Sequence, residues 1–433
     1  MSAIGGGLGS LQNGARVAII GGGPAGSSCA IALLNLAQSM GRHLEVTIYE
    51  GKDFTGEVHH NQCVGVLSPP LEEVLEEDLC VAFPKHLVQR RVTRYVLHSD
   101  HQALELEGAG EPAYTVSRVR FDDYLLWQAR ARGARLVRSR VTDLEFFWDH
   151  VMVYSESESR AVEVVVAAFG LDDGSGQFLQ RATGVGGREA YRAPACVHSI
   201  VTRVPEDEEH LSRLGTAIHA YLPADRAIEF GAVTPKRDHL TINIAGASVT
   251  ARNMDAFLRL PEVRAVLPSD FNPDVSPPPY FKGRFPISTA RGICHDRYVA
   301  VGDASGLLRS FKGKGVTYAC ITGLRAARAM MERGIARDAL TQGYLQECRE
   351  ILADVPYGRA VRWLAIHGAN YGLLDTVLAL ARNDAVLRRA LFDAVSANRF
   401  YREIVGEVAT PRRLLRLGVA SLLTLLGVRG GTV

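Results

Sequence analysis

The chain has 433 residues, and its 49 Lys and Arg against 47 Asp and Glu leave a formal net charge of +2. That balance excludes the electrostatic footprint of a nucleic-acid binder, and the length allows two or three structural units around a large core. Seven cysteines (Cys29, Cys63, Cys80, Cys196, Cys294, Cys320 and Cys348) are scattered without a C-x-x-C pair, which argues against zinc and fits free thiols in a reducing cytoplasm.

Residues 1–14 are Gly-rich, with neither a basic start nor an apolar stretch, and read as a tail rather than a signal peptide. Val17, Ala18, Ile19 and Ile20 then form an apolar run, the pattern of a strand buried on both faces of a parallel sheet. Gly21, Gly23 and Gly26 follow in G-x-G-x-x-G spacing. The first permits the turn out of the strand, the second lets backbone approach a pyrophosphate, and the third lets the next helix pack closely. Pro24 and Ala25 lie at the opening of a small-residue helix, expected over residues 25–40, whose N-terminal N–H groups and dipole suit phosphates. Residues 45–50 read as a second strand, with Glu50 at its end, about 20 residues past the glycines, where an acid takes ribose hydroxyls.

Residues 71–79 read as an acidic helix, and residues 88–106 carry strand-like patches. Residues 121–133 read as a helix stopped by Gly133. Residues 136–154 and 161–169 are expected to be strands of a β-meander turning at 155–159. Residues 197–204 and 217–247 add strands, and Pro277, Pro278 and Pro279 close that region, an antiparallel wall for a substrate cavity. The segment Tyr298-Val299-Ala300-Val301-Gly302-Asp303 then returns to the first domain, and Gly313, Lys314, Gly315 and Val316 open another helix. The two glycine segments, with most of the chain between them, point to one extended dinucleotide, FAD, held at its adenosine end by the first and its flavin end by the second.

From residue 338 onward the spacing predicts helices at 344–351, 360–366, 373–382 and 385–395, a cap without a chemical motif. Residues 411–417 are basic and apolar, and 418–428 are apolar almost throughout. The stretch falls short of the ~20 apolar residues of a membrane span. It is expected over 411–429 either to make peripheral membrane contact beside anionic lipids or to dock on protein.

From about residue 16 to about residue 333 the chain resembles the para-hydroxybenzoate hydroxylase-like flavoprotein superfamily, and within it the geranylgeranyl reductase family. Five places carry the resemblance: the glycine loop with Glu50; Asn61-Gln62-Cys63-Val64-Gly65-Val66-Leu67-Ser68-Pro69; Val116-Ser117-Arg118-Val119-Arg120-Phe121-Asp122; Gly231-Ala232-Val233-Thr234-Pro235-Lys236; and Gly302-Asp303. The resemblance implies an α/β protein, with a Rossmann-like FAD-binding domain (15–87, 115–190, 285–337) interleaved with an antiparallel β-sheet substrate domain (88–114, 191–284), plus a C-terminal helical region (338–433). It implies FAD contacts from Gly21, Gly23, Pro24, Ala25, Gly26, Glu50, Arg118, Val141, Gly302, Asp303, Gly313, Lys314, Gly315 and Val316. Arg118 would lie near the phosphates just before a helix, and Asp303 would bind ribityl or ribose hydroxyls.

The departures are specific. Ala232 and Thr234 stand where the reductases carry aromatic residues, and Gly170-Leu171-Asp172-Asp173-Gly174 is a degenerate form of the family's mid-chain Asp-Gly motif. Lys314 looks more like the hydroxylases, and the Trp-x-Trp-x-Ile-Pro motif of flavin halogenases is absent.

Three residues are expected to carry chemistry. Cys63 reads either as a proton donor beside the flavin or as a small packing residue. Arg309 and Lys312 read as contacts for an anionic substrate or as solvated loop charges. The resulting expectation is reduction of carbon–carbon double bonds in an apolar, isoprenoid-like small molecule, with NAD(P)H or a ferredoxin-like protein as electron donor. The alternatives are a flavin monooxygenase acting on an aromatic or polyketide-like substrate and a flavin-binding sensor or scaffold.

Overall fold

A computed structural model describes residues 7–54, 63–108, 110–184, 189–275, 277–312 and 314–411. Gly313, residues 1–6 and the basic apolar tail beyond residue 411 lie outside this set.

The first unit is a six-stranded sheet. Across it run Cys294–His295, Tyr298–Ala300, Val164–Ala167, Arg16–Ile20, Glu45–Tyr49 and Arg135–Val137. All neighbours are parallel except the first two. The helix Pro24–Ser39 links two adjacent parallel strands, Arg16–Ile20 and Glu45–Tyr49. Val164–Ala167 corrects the expected meander. Only Val141–Phe146, Val151–Ser155 and Ser159–Val162 form the antiparallel ribbon, and Val164–Ala167 inserts between the first strand and Tyr298–Ala300. All four of its residues are fully buried, which is the burial of a central parallel strand and not of a two-faced meander.

The second unit is a seven-stranded sheet, ordered Phe281–Pro286, Cys196–Pro205, His239–Gly246, Phe230–Pro235, Ala217–Tyr221, Arg94–His98 and Ala103–Glu107. It is antiparallel except where Arg94–His98 and Ala217–Tyr221 run side by side. The helix Ala251–Leu258, absent from the sequence expectation, packs Met254, Phe257 and Leu258 against one face. The other face shares a core with the C-terminal helices through Leu97, Leu104, Leu378, Leu387 and Phe392.

Those C-terminal helices are Arg349–Asn370, Leu373–Ala381, Ala385–Ser396 and Tyr401–Val408. The first runs through Pro356 where the sequence suggested separate pieces. Among the described residues no single helix is long and apolar enough to cross a membrane.

Candidate functional site

The glycine loop shows each glycine acting for a different reason. Gly21 has φ +108°, and an ideal Cβ there would sit 2.4 Å from the Ala168 carbonyl oxygen. At Gly26 a Cβ would lie 1.9 Å from Gly21 O, so helix and loop touch. At Gly23 a Cβ would meet no protein atom within 4 Å. Sterics within the protein therefore demand Gly21 and Gly26, whereas Gly23 leaves bare backbone facing open space.

Gly23 is also the N-cap of Pro24–Ser39, with Pro24 at the first turn, no side-chain cap and no acid in that turn. Its first N–H groups thus have no side-chain cap, and helix starts of this kind favour anions such as phosphate. A second helix, Gly315–Glu332, likewise begins without a side-chain cap or an early acid. Its N-cap, Lys314, has left-handed backbone (φ +45°), and the Lys314 ammonium donates to Pro69 O (2.7 Å) and Asn398 Oδ1 (3.3 Å).

These features open onto a cavity of about 810 Å³. Ile20, Tyr49 and Ala168 bring the C-terminal ends of three parallel strands to it, where open α/β sheets place their ligands. Gly21, Gly23, Pro24, Ala25, Glu50, Arg118, Val141, Asp303, Lys314, Gly315 and Val316 all line it, as do Cys63 and Lys312. Gly26 and Gly302 do not. Gly26 spaces helix from loop, and a Cβ on Gly302 (φ +61°) would sit 2.7 Å from Ala25 Cβ.

Arg309 is the clear correction among the site residues. It does not line the cavity and is not a solvated charge. Its Nε lies 2.9 Å from Asp354 Oδ2, its guanidinium donates to Ala397 O (3.2 Å) and Arg399 O, and it stacks over Tyr401 at 4.4 Å. Asp354 lies one turn into the long C-terminal helix, so Arg309 holds the cap and leaves ligand contact to its neighbours.

Glu50 accepts from the Gly22 N–H (2.9 Å) and the Lys52 N–H (2.8 Å), which fixes its carboxylate beside the glycine loop. Arg118 is the first residue of the helix Arg118–Ala131, which starts before the expected residue 121. Burial opposes its charge, but Asp122 (3.0 Å) and Cys63 outweigh that and raise its pKa. Asp303 is pushed up by burial, with Arg118 opposing. Cys63 is exposed to the cavity, and its sulfur accepts from Gly65 N–H at 3.4 Å.

Two features escaped the sequence reading. Asp172, in the degenerate motif, N-caps the helix Asp173–Thr183 through Ser175 N–H (2.8 Å), and both residues line the cavity. Burial opposes the Asp172 charge, but the Ser175 N–H holds its pKa below the usual value. Lys236 is buried beneath the Cys63 loop and donates to Val116 O (2.9 Å) and Gly65 O (3.4 Å). Burial pulls its pKa down to about 7. A lysine after Thr234-Pro235 at the end of a strand gave no sequence signal of burial.

Residues 18–171 match the family model described as FAD-NAD(P)-binding. The matched stretch contains the glycine loop, Glu50 and Arg118. No curated protein matches the sequence. Among solved structures, the chain is similar to a geranylgeranyl bacteriochlorophyll reductase-like protein from Thermoplasma acidophilum (16% identity, 92% of this chain and 99% of that one, TM-score 0.61). It is similar to p-nitrophenol 4-monooxygenase from Pseudomonas putida (14% identity, 90% and 99%, TM-score 0.65). It is also similar to the flavin-dependent brominase Bmp2 (16% identity, 90% and 98%, TM-score 0.60). At these identities the likeness establishes the fold alone, a mostly parallel sheet joined to a second, mostly antiparallel sheet, and one fold can host different chemistries.

Proposed function

We propose that the protein is an FAD-dependent oxidoreductase that reduces carbon–carbon double bonds of an apolar, isoprenoid-like small molecule. The observation that carries this reading is one continuous cavity. It passes from the bare backbone at Gly23 and the two uncapped helix starts to the apolar side chains Leu97, Ile218, Phe230 and Phe285. When bound, FAD supplies hydride transfer. The chain's own residues position and enclose. The N–H groups after Gly23 hold phosphate, Glu50 takes ribose hydroxyls, and the Gly315 helix start with Lys314 favours negative charge at the flavin ring. The apolar wall orients the alkene and keeps water away. Cys63 Sγ, exposed to the cavity, is the proposed proton donor to the second carbon. NAD(P)H or a ferredoxin-like protein is the proposed source of electrons.

A second reading is hydroxylation of an aromatic or polyketide-like substrate. It is favoured by Ser199, Thr234 and Asn243, which place hydrogen-bonding groups among the apolar lining. Anaerobic incubation of FAD-loaded protein with NADPH or reduced ferredoxin and a panel of polyprenyl alkenes tests the first reading by mass spectrometry. A gain of two hydrogens without oxygen supports it. A product that forms only in air and gains one oxygen atom replaces it with the second.

A further inference from the structure

Lys312 and Lys314 both line the cavity, and among the described residues neither takes part in an ion pair. Their partners are neutral. The Lys312 ammonium donates to Tyr95 Oη (3.0 Å) and stands 4.4 Å from the centre of that ring. Lys314 is held by Pro69 O and Asn398. Asp354 is engaged by Arg309, and Asp303, which lines the cavity with its Oδ1 3.6 Å from where a Cβ on Gly315 would sit, has its pKa raised by burial. Burial, with the like charges of Lys312 and Arg309, brings the Lys314 pKa down to about 7.

Lys312 and Lys314 are both partly covered from solvent, and a partly desolvated cation is favoured by an opposite charge near it. Lys314 caps the helix whose start faces the flavin end, so negative charge on the reduced flavin answers it. Lys312 is left over. Its backbone N–H is fixed by Tyr401 Oη (3.0 Å), and its side chain reaches Tyr95 on the strand Arg94–His98. That places the ammonium at the seam between the nucleotide-binding half and the apolar wall. Tyr95 accepts from Lys312, which leaves the phenol proton to donate to a ligand.

We propose that Lys312 and Tyr95 anchor a terminal anion, a carboxylate or a phosphate, on a substrate whose apolar body lies along Ile218, Phe230 and Ala232. This rests on the oxidoreductase reading and narrows its substrate class to amphiphiles with one acidic end. A bidentate arrangement of ammonium and phenol gives the chain a fixed orientation, so the distance from the acid to the reacting carbons is set by the wall.

The test is isothermal titration of FAD-loaded protein with decanoate, decyl phosphate and decanol, for wild type, Lys312→Met and Lys312→Arg. Flavin absorbance is measured first for every variant. Wild type should bind at least one of the two anions about tenfold or more tightly than decanol, and the better anion identifies the head group. Lys312→Met should bring the anion to within about twofold of decanol, with flavin content and thermal midpoint unchanged, and Lys312→Arg should restore most of the preference. Equal binding of the three probes by wild type, no binding of either anion, or a preference that persists in Lys312→Met overturns the proposal. A protein that takes up no flavin overturns the oxidoreductase reading instead, and the absorbance step shows that separately.

Discussion

Gly323 lies directly against Ala25: a Cβ on Gly323 would come within 2.4 Å of the Ala25 carbonyl oxygen and 3.0 Å of Cys29 N. The helices Pro24–Ser39 and Gly315–Glu332 therefore pack backbone to backbone. Their starts, nearly three hundred positions apart in the chain, converge on one cavity, and a ligand that spans both is held by two helix ends at once.

The glycines separate folding from binding. Gly23→Val should leave thermal stability close to wild type, because a Cβ there meets no protein atom within 4 Å, yet should lower flavin retention at least tenfold. Gly26→Val and Gly323→Val should lose stability, by the ~1–3 kcal/mol usual for overpacking or more, since both would press on backbone. Flavin absorbance after gel filtration and thermal melts distinguish the two classes. Full flavin content in Gly23→Val would count against the phosphate site.

Arg309→Met should destabilise by about 3–5 kcal/mol, the range for removing one partner of a buried ion pair. Arg309→Met combined with Asp354→Leu should cost less than the two single changes added together, because no charge is then stranded. Recovery should be partial, as the bonds to Ala397 O and Arg399 O stay lost. Urea unfolding of the three variants measures the coupling, and strict additivity would show that the pair does not interact.

His98 and His219 face each other on parallel neighbouring strands, Nε2 to Nδ1 at 3.0 Å. Burial lowers both to about 4 from the ordinary histidine value of 6.5, with the neighbouring positive charges adding to it. Between those pH values the unfolded chain binds protons that the folded one refuses. Stability should thus hold above pH 6.5 and fall as pH drops toward 4, by ~1.4 kcal/mol per pH unit for each group. A urea midpoint series should show that slope, and His98→Phe, which keeps the stack on Tyr221, should flatten it.

Lys314→Met should lower the reduction potential of bound flavin, because the ammonium favours the anionic reduced form. With a pKa near 7 in the ligand-free protein, Lys314 must take up a proton to meet an anion at pH 8 but not at pH 6. Spectroelectrochemistry across this range should show the wild-type potential dropping more steeply with pH than that of the variant. Parallel curves would remove Lys314 from the flavin end.

Much of the glycine-loop geometry is local in sequence, and that is why it could be read. Strand, Gly21, Gly23, Gly26 and Glu50 lie within one βαβ unit whose geometry permits few residue types. The central position of Val164–Ala167 was not readable in the same way, because its neighbours Arg16–Ile20 and Tyr298–Ala300 are remote in the chain. Its unbroken burial was the available clue. Arg309 was misjudged for a related reason: a cation after a glycine loop looks ligand-facing until Asp354, from a helix 45 positions on, is seen beside it.

Val395 contributes to the cavity from the helix Ala385–Ser396, and Ala397, just beyond that helix, receives the Arg309 guanidinium. The far end of the polypeptide is thereby part of the chamber's seal. If the oxidoreductase proposal holds, a change that loosens it would let solvent and oxygen leak toward the flavin while every group around it stayed in place, and the protein would then waste electrons rather than stop.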